Sequence, residues 1–245
     1  MNFSPSAKFT KPQWNNIQYS ATPASGAKWP LTRQRPGTGA FFILNSALAL
    51  IIAGLFAACG PRVPSLTPLA AEARVLAFGD SLTWGIGAER EASYPAILEQ
   101  LIGRKVLNAG VPGEVTRQGL ARLPAVLEQH QPALMILCHG GNDFLRKTGE
   151  QEAAANIRAM IRQAQERQVA VVLIGVPRPG LFLAPPKYYP QIAGEFGLPY
   201  QGTILPAILA RGGPKSDAIH PNAAGYRKLA EAVAQLLRQA KAVPN

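Results

Sequence analysis

The 245-residue sequence is poor in cysteine, histidine and charge. It has two cysteines, Cys59 and Cys138, and three histidines. Two cysteines cannot build the framework of a disulfide-rich domain, and no closely spaced cysteines and histidines offer a structural zinc site. A disulfide between the two is disfavoured, because Cys138 lies in an apolar run typical of a buried strand. Charged residues make up 16% of the chain and hydrophobic residues 47%, a composition that excludes intrinsic disorder and supports a folded core.

Acidic residues are absent from the first 58 residues, which contain five of the 25 basic residues. Part of the formal net charge of +11 therefore belongs to this segment. In the rest of the chain the basic residues are scattered among Asp and Glu and form no stripe. Such a distribution is typical of a soluble surface and not of a phosphate-binding face, so we expect no nucleic-acid partner.

An uncharged run, AFFILNSALALIIAGLFAA, occupies residues 40–58 and ends in small residues. A basic region, an apolar region and a small-residue exit, in that order, form the layout of a secretory signal. An uncleaved membrane helix is the alternative, because the run is close to the ~20 residues that span a bilayer. Both interpretations keep the positive charges inside and place the chain after residue 59 on the periplasmic side.

The exit of this run, FAACG at residues 56–60, resembles a bacterial lipoprotein box, whose cysteine is lipid-modified and becomes the first mature residue. Phe56 departs from the usual Leu, and ordinary cleavage near Gly60 is the alternative. We expect lipidation of Cys59 and therefore a membrane-anchored lipoprotein. Residues 1–58 would then be the signal segment, and the proline-containing residues 59–72 would tether the anchor to a domain at 73–245.

Residues 73–245 alternate between short β-rich runs and amphipathic segments. The β-rich runs are 74–78, 105–108, 133–138 and 169–176, with a last short strand expected near 198–201. The amphipathic segments lie near 93–103, 116–129, 150–168, 188–197 and 222–240. This alternation predicts an α/β domain whose parallel sheet has helices on both faces. Ligands bind at the carboxyl ends of the strands in such sheets, so the loops that follow the strands are the candidate site.

The first predicted strand runs into a G-D-S turn at residues 79–81, where the glycine permits a tight turn. Ser81 either points into the cleft at the sheet edge or caps the helical segment that follows. The G-x-S-x-G elbow is absent, because Thr83 stands where its second glycine would be. Gly85 and Gly87 lack the third glycine and the later acidic partner of a dinucleotide-binding loop.

Four sequence blocks occur in a fixed order: GDSLT at 79–83, NAGVPGE at 108–114, GGND at 140–143 and DAIHPN at 217–222. With these blocks, residues 73–245 resemble the GDSL, or SGNH, hydrolase family. The stretch GLARLPAVLEQHQP at 119–132 is similar to the bacterial group of multifunctional thioesterases, arylesterases and lysophospholipases. The resemblance implies a flavodoxin-like three-layer α/β/α sandwich with about five parallel strands.

The resemblance also implies the roles of five residues. Ser81 matches the nucleophile, His220 the general base, and Asp217 the carboxylate that orients it. Gly113 and Asn142 match the donors of the oxyanion hole, together with the N–H of Ser81. A serine hydroxyl needs such a base to become nucleophilic, and each oxyanion donor is typically worth ~10²–10³ in turnover. This chemistry implies no cofactor and no metal.

Other polar residues near the blocks have structural interpretations. His139 lacks a carboxylate at the spacing that precedes His220, so we expect it to hydrogen-bond near the strand end or to contact substrate. His130 suits the C-terminal end of a helix. Asp80 and Asp143 are predicted to be hydrogen-bond acceptors that order their loops.

Three consecutive apolar residues, Leu181, Phe182 and Leu183, follow the fourth predicted strand in a proline-rich loop. They either line an acyl-binding site or pack onto a neighbouring helix. The leading function is hydrolysis of acyl esters, aryl esters, thioesters or lysophospholipids. An envelope polysaccharide O-acetyl esterase with the same triad is the enzymatic alternative. A non-catalytic envelope binding protein on the same fold is the alternative from another class.

Overall fold

Parallel strands form a five-stranded sheet in the computed structural model of the protein, which describes residues 63–180 and 183–244. The strands are β1 (Arg74–Gly79), β2 (Lys105–Gly110), β3 (Leu134–Cys138), β4 (Ala170–Ile174) and β5 (Tyr200–Gln201). Their spatial order is β2-β1-β3-β4-β5, and every neighbouring pair is parallel. This is the order of flavodoxin-like sheets, so the predicted fold class is confirmed.

Helices connect the strands and cover the sheet. Within the described residues they are α1 (Ser81–Trp84), α2 (Tyr94–Ile102), α3 (Thr116–His130), α4 (Gly141–Arg146), α5 (Glu150–Glu166), α6 (Tyr188–Glu195), α7 (Ile204–Leu209) and α8 (Ala223–Gln239). The chain moves from β1 to β2 in one direction and from β2 through β3 to β4 in the other. Right-handed crossovers therefore place α2 on one face and α3 and α5 on the opposite face. α2 packs against α8, and α3 packs against α5.

The strands form where the sequence concentrates apolar residues. Every residue of β3 is buried, as expected of a strand covered on both faces. β4 ends at Ile174, two residues before the end of its apolar run. The next residue, Gly175, lies where the Tyr200 hydroxyl comes close, and a Cβ there would be only 2.4 Å from it. The N–H of Gly175 still donates to the Gln201 carbonyl of β5 at 2.9 Å, so the chain leaves the sheet after this glycine.

Part of the segment expected to be a tether is packed against the domain. The N–H of Leu66 donates to the Ala240 carbonyl at 2.7 Å, and that of Leu69 donates to Ala242 at 2.8 Å. Leu69 is buried in the core. In the described part of the chain, no helix has both the length and the apolarity needed to cross a membrane. The apolar run at 40–58 and Cys59 lie outside the described residues.

Candidate active site

Ser81 follows β1 at a turn in which its hydroxyl is not used to cap the next helix. Gly79, the last residue of β1, touches the β3 backbone so closely that a Cβ would lie 2.0 Å from the Cys138 carbonyl oxygen. Asp80 caps α1, because its Oδ1 accepts from the N–H of Leu82 at 3.1 Å. Since Asp80 caps the helix, the Ser81 side chain is available to the cleft, which it helps to line.

The loop between α7 and α8 carries His220 and Asp217. It closes on itself, because Lys215 forms an antiparallel bridge with Pro221 and the N–H of Ser216 donates to the His220 carbonyl at 2.9 Å. At its end Asn222 caps α8 by accepting from a backbone N–H at 3.0 Å. These contacts fix the backbone of the loop and thereby the orientation of the His220 side chain.

A chain of hydrogen bonds connects three side chains at the carboxyl edge of the sheet. His220 Nε2 lies 3.0 Å from Ser81 Oγ, and His220 Nδ1 lies 2.8 Å from Asp217 Oδ2. The other carboxylate oxygen of Asp217 accepts from the N–H groups of Ile219 and His220, both at 2.8 Å. The loop thus holds Asp217 from two sides and holds the imidazole between the carboxylate and the serine.

The charge of Asp217 determines which imidazole nitrogen carries the proton. Partial burial raises the pKa of Asp217, but hydrogen bonds from the His220 ring and from two backbone N–H groups outweigh it, so the pKa lies below its ordinary value. The ionised carboxylate only accepts, so His220 Nδ1 donates to it. Nε2 of the neutral ring is then an acceptor, and the Ser81 hydroxyl donates to it. This is the arrangement in which imidazole can remove the serine proton.

Three possible donors to an oxyanion surround Ser81. The N–H groups of Ser81 and Gly113 have no hydrogen-bond partner among the described residues. Asn142 Nδ2 donates one hydrogen to the Glu114 carbonyl at 3.0 Å, which leaves its second hydrogen available to the cleft. Arg146 Nη2 donates to the Gly113 carbonyl at 2.7 Å and so fixes the peptide that follows Gly113. The structure thus brings Gly113 and Asn142 to the same cleft as Ser81 and His220.

The cleft beside Ser81 is largely apolar. Its volume is about 250 Å³, larger than the ~150 Å³ cavity that holds benzene in an engineered protein. Its apolar lining includes Ile86, Leu145, Val176, Leu183, Leu209 and Ile219. Leu183 is therefore a cleft residue, whereas Leu181 and Phe182 lie outside the described residues.

Asp80, Asp143 and His130 have the structural positions expected of them. Asp80 caps α1, as described above. Asp143 accepts from both the N–H and the hydroxyl of Thr116, at 2.9 and 2.7 Å, and so holds the start of α3. His130 is the last residue of α3. In the described ranges no group of three or more His, Cys, Asp or Glu side chains could hold a metal ion.

The sequence did not predict a buried cluster next to these loops, formed by Glu114, Arg122 and His139. His139 is fully buried and hydrogen-bonds through Nε2 to Glu114 at 3.0 Å, so it interacts with the strand-end network and not with the cleft lining. Arg122 Nε also donates to Glu114, at 2.6 Å. No local pattern reveals this cluster, because its members come from a loop, a helix and a strand end.

Comparison with known proteins gives the relatives of this chain. A model of the GDSL-like Lipase/Acylhydrolase family matches residues 77–228. The chain is 29% identical over 208 residues to esterase TesA of Pseudomonas aeruginosa, which covers 78% of this chain and 94% of that protein. It is 32% identical over 177 residues to thioesterase 1/protease 1/lysophospholipase L1 of Escherichia coli K12, which covers 69% of this chain and 85% of that protein.

Solved structures agree with these sequence relatives. The crystal structure of TesA superposes with a TM-score of 0.59 at 27% identity, over 68% of this chain and 99% of that one. AlinE4, an SGNH-hydrolase family esterase, gives a TM-score of 0.51 at 30% identity, over 70% of this chain and 98% of that one. The four sequence blocks, the 2-1-3-4-5 sheet and these relatives agree, and the chain belongs to the GDSL-like lipase/acylhydrolase family and is a serine ester hydrolase.

Proposed function

We propose that Ser81, His220 and Asp217 are the catalytic triad of this ester hydrolase and that Ser81 Oγ is its nucleophile. The observation that carries the proposal is the hydrogen-bonded chain from Ser81 Oγ through His220 to Asp217, with distances of 3.0 and 2.8 Å. The chain ends in the cleft that Ser81 and His220 both line. A carboxylate, an imidazole and a hydroxyl in this order form the arrangement that activates serine in many unrelated hydrolases.

The proposed reaction has two halves. As Ser81 Oγ attacks the acyl carbon, its proton passes to His220 Nε2, and the carbonyl oxygen becomes an oxyanion. The N–H groups of Ser81 and Gly113 and the Asn142 amide donate to this oxyanion. His220 then gives its proton to the departing alcohol or thiol, and an acyl group remains on Ser81. A water molecule, deprotonated by His220, attacks this acyl-enzyme, and collapse of the second tetrahedral intermediate releases the acid and restores the Ser81 hydroxyl.

The proposed substrate is an ester or thioester with an apolar acyl group. The aliphatic side chains of the cleft support an acyl chain or aryl group more than a hydrated polysaccharide. The names of the relatives point the same way, since they include a thioesterase/lysophospholipase and an arylesterase of Vibrio mimicus that is 30% identical over 186 residues. The proline-rich loop contributes Leu183 to the proposed acyl site, and Leu181 and Phe182 are proposed to extend it.

The hydrolase is further proposed to act on the periplasmic side, anchored through lipid on Cys59. The support is the basic segment and apolar run before Cys59 and the FAACG exit. Residues 1–58 would be removed as the signal, and the domain would comprise residues 73–245. Because Leu66 and Leu69 are hydrogen-bonded to the end of the domain, the free part of the tether would be short and keep the enzyme near the bilayer.

Kinetics of point variants test the proposed triad. Ser81→Ala and His220→Ala should each lower kcat for p-nitrophenyl butyrate by ~10⁴-fold or more, with an unchanged circular dichroism spectrum. Ser65→Ala, at an exposed serine of the N-terminal segment, is the matched control and should retain full turnover. Wild-type levels of turnover by a folded Ser81→Ala protein would overturn the proposal. A chain-length series of p-nitrophenyl esters separates the acyl-ester hydrolase from an O-acetyl esterase, which would turn over the acetyl ester alone.

A further inference from the structure

Glu114, Arg122 and His139 form a buried ionic group, called here the loop-junction cluster. Glu114 is 5% exposed, His139 0% and Arg122 24%. Arg122 donates to both carboxylate oxygens of Glu114, through Nε at 2.6 Å and Nη2 at 2.8 Å. His139 Nε2 lies 3.0 Å from the second of these oxygens. The hydrogen bonds of these three side chains go to residues outside the triad, and the reaction proposed above does not use the cluster.

Hydrogen bonds hold the Glu114 carboxylate and both ring nitrogens of His139. Burial raises the pKa of Glu114, but the bonds from His139 and Arg122 outweigh it and hold the pKa below its usual value. The ionised carboxylate only accepts, so His139 donates from Nε2, and its Nδ1 accepts from the N–H of Gly140 at 3.0 Å. Gly119 of α3 makes room for this ring, because a Cβ there would lie 2.4 Å from Nε2.

Stability alone is a weak explanation for such a cluster. Removing two charged groups from water costs several kcal/mol per ion, and apolar residues of similar size often stabilise a core as well or better. The cluster does, however, connect the ends of three neighbouring strands, of which β1 and β3 are central and β2 lies at the sheet edge. Arg122 Nη2 donates to the Ala109 carbonyl of β2 at 2.9 Å and to the Gly79 carbonyl of β1 at 3.3 Å. His139 directly follows β3, and its carbonyl accepts from the Tyr189 hydroxyl at 2.7 Å.

Each of these strand ends leads to one proposed donor of the oxyanion hole. Gly79 stands two residues before Ser81, and His139 stands three residues before Asn142. Glu114 directly follows Gly113, and its carbonyl accepts from Asn142 Nδ2 at 3.0 Å. The Glu114 side chain therefore fixes the carbonyl that holds one hydrogen of the Asn142 amide. With that hydrogen fixed, the direction of the second one is fixed as well.

We infer that the loop-junction cluster is a positioning device that sets the geometry of the oxyanion hole, chiefly through the Glu114 carbonyl and Asn142. This inference rests on the proposed function, because it concerns the donors of that site. The residues Glu114, Arg122 and His139 position Asn142 and Gly113 and do not contact substrate. A displacement of about 1 Å in such donors can cost ~10²-fold in rate, so a small relaxation of the cluster is sufficient to lower turnover.

A double-mutant cycle between the cluster and Asn142 tests the inference in the full-length protein with p-nitrophenyl butyrate. Glu114→Gln should lower kcat by about 10- to 10²-fold, with KM within about twofold and an unchanged shape of the pH profile, because His220 and Asp217 are untouched. In an Asn142→Ala background the same change should cost less than about threefold, because its target is already absent. Titration of active sites with a phosphonate ester corrects every rate for the folded fraction.

Controls separate positioning from stability and from failure of the proposed site. Glu195→Gln removes a remote ion pair, Arg158–Glu195 at 2.7 Å, and should leave kcat unchanged. Arg122→Lys keeps the charge but loses the forked contact to Glu114 and the Nη2 contacts to the strand ends, and it should repeat the Glu114→Gln result. Multiplicative losses in the two backgrounds, unchanged kcat in Glu114→Gln, or loss of fold in both cluster variants would overturn the inference. A fully active Asn142→Ala protein would instead overturn the proposed oxyanion hole, and the inference with it.

Discussion

At the scale of single residues, Gly113 has a backbone conformation that suits glycine. Its φ of +76° lies in the left-handed region, where other L-residues pay ~1–2 kcal/mol. A Cβ at this position would also come within 3.3 Å of the Arg146 guanidinium that holds its carbonyl. The proposed oxyanion donor therefore depends on a residue without a side chain.

Gly113→Ala should lower kcat by about 10²-fold, the loss typical of one displaced oxyanion donor, and lower stability slightly. Gly212→Ala is a matched control, because Gly212 has the same φ of +76° and a Cβ there meets nothing within 4 Å. Steady-state kinetics and thermal melts of both variants check this. Equal activity losses in the two variants would show that backbone strain, and not the position of the donor, is responsible.

A substitution at the single residue Leu183 tests the proposed acyl site. Leu183→Ala removes three carbons, worth ~0.8 kcal/mol each when buried, so it should lower kcat/KM for octanoyl esters by up to ~50-fold and change acetyl ester hydrolysis little. Phe182→Ala is predicted to act in the same direction. Leu101→Ala, a half-buried leucine of α2, is the control. A loss that is the same for every chain length would remove Leu183 from the acyl site.

At the scale of elements, the short helix α1 depends on a buried acid. Burial of the Asp80 carboxyl raises its pKa, and the hydrogen bond from the N–H of Leu82 offsets this only in part. The folded state therefore holds the proton of Asp80 to a higher pH than the unfolded chain, whose aspartates titrate near a pKa of about 3.9. Between the pKa of the unfolded chain and the raised pKa of the folded state, the free energy of unfolding falls as the pH rises, because the folded state binds more protons.

Asp80→Asn should remove this pH dependence while it keeps a capping oxygen for Leu82. The Tm of the variant relative to wild type should rise between pH 4 and pH 8, measured by thermal melts. Asp217→Asn provides the opposite sign at lower pH, because the pKa of Asp217 is lowered; its relative Tm should fall as the pH rises toward the ordinary pKa of about 3.9 and stay level above it. Parallel pH curves for wild type and Asp80→Asn would contradict the assigned burial effect.

The elements differ in how well the sequence predicts them. β1 to β4 and the long helices were predicted within a few residues, because their apolar periodicity is strong. α4 at Gly141–Arg146 was not predicted, because it begins within the GGND block and its six residues are too few to show the apolar periodicity of a helix. α7 at Ile204–Leu209 contains Pro206 and was missed for similar reasons. Short helices form where tertiary contacts hold them, and those contacts are invisible in the local sequence.

At the scale of the whole molecule, the sheet order brings together residues that are far apart in the chain. Parallel strands all end at one edge, so the blocks after β1, β2 and β3 meet there, and sequence motifs were sufficient to predict that Ser81, Gly113 and Asn142 share a cleft. The loop-junction cluster was not predictable, because its three residues carry no spacing pattern and pair only after the sheet has formed. Motifs therefore predicted which residues meet in this cleft but not the network behind them.

The full chain is expected to carry lipid on Cys59. Expressed in a bacterial host supplied with labelled palmitate, wild type should be labelled and membrane-bound, whereas Cys59→Ser should be unlabelled. Esterase activity should survive this change, because Ser81 and His220 lie in a domain with its own core. An unlabelled wild-type protein released in soluble form would indicate ordinary signal cleavage.

The most direct test of the central claim is the site of covalent modification by a p-nitrophenyl alkylphosphonate. The Ser81 oxygen forms a bond to phosphorus, p-nitrophenolate leaves, and the His220 imidazole takes the serine proton. Intact-mass and peptide mass spectrometry should show one phosphonyl group per chain, located on Ser81, with loss of esterase activity in proportion. Ser81→Ala should remain unmodified. A stoichiometric adduct on any other residue, or inactivation of the enzyme without modification of Ser81, would contradict the assignment of Ser81 as the nucleophile.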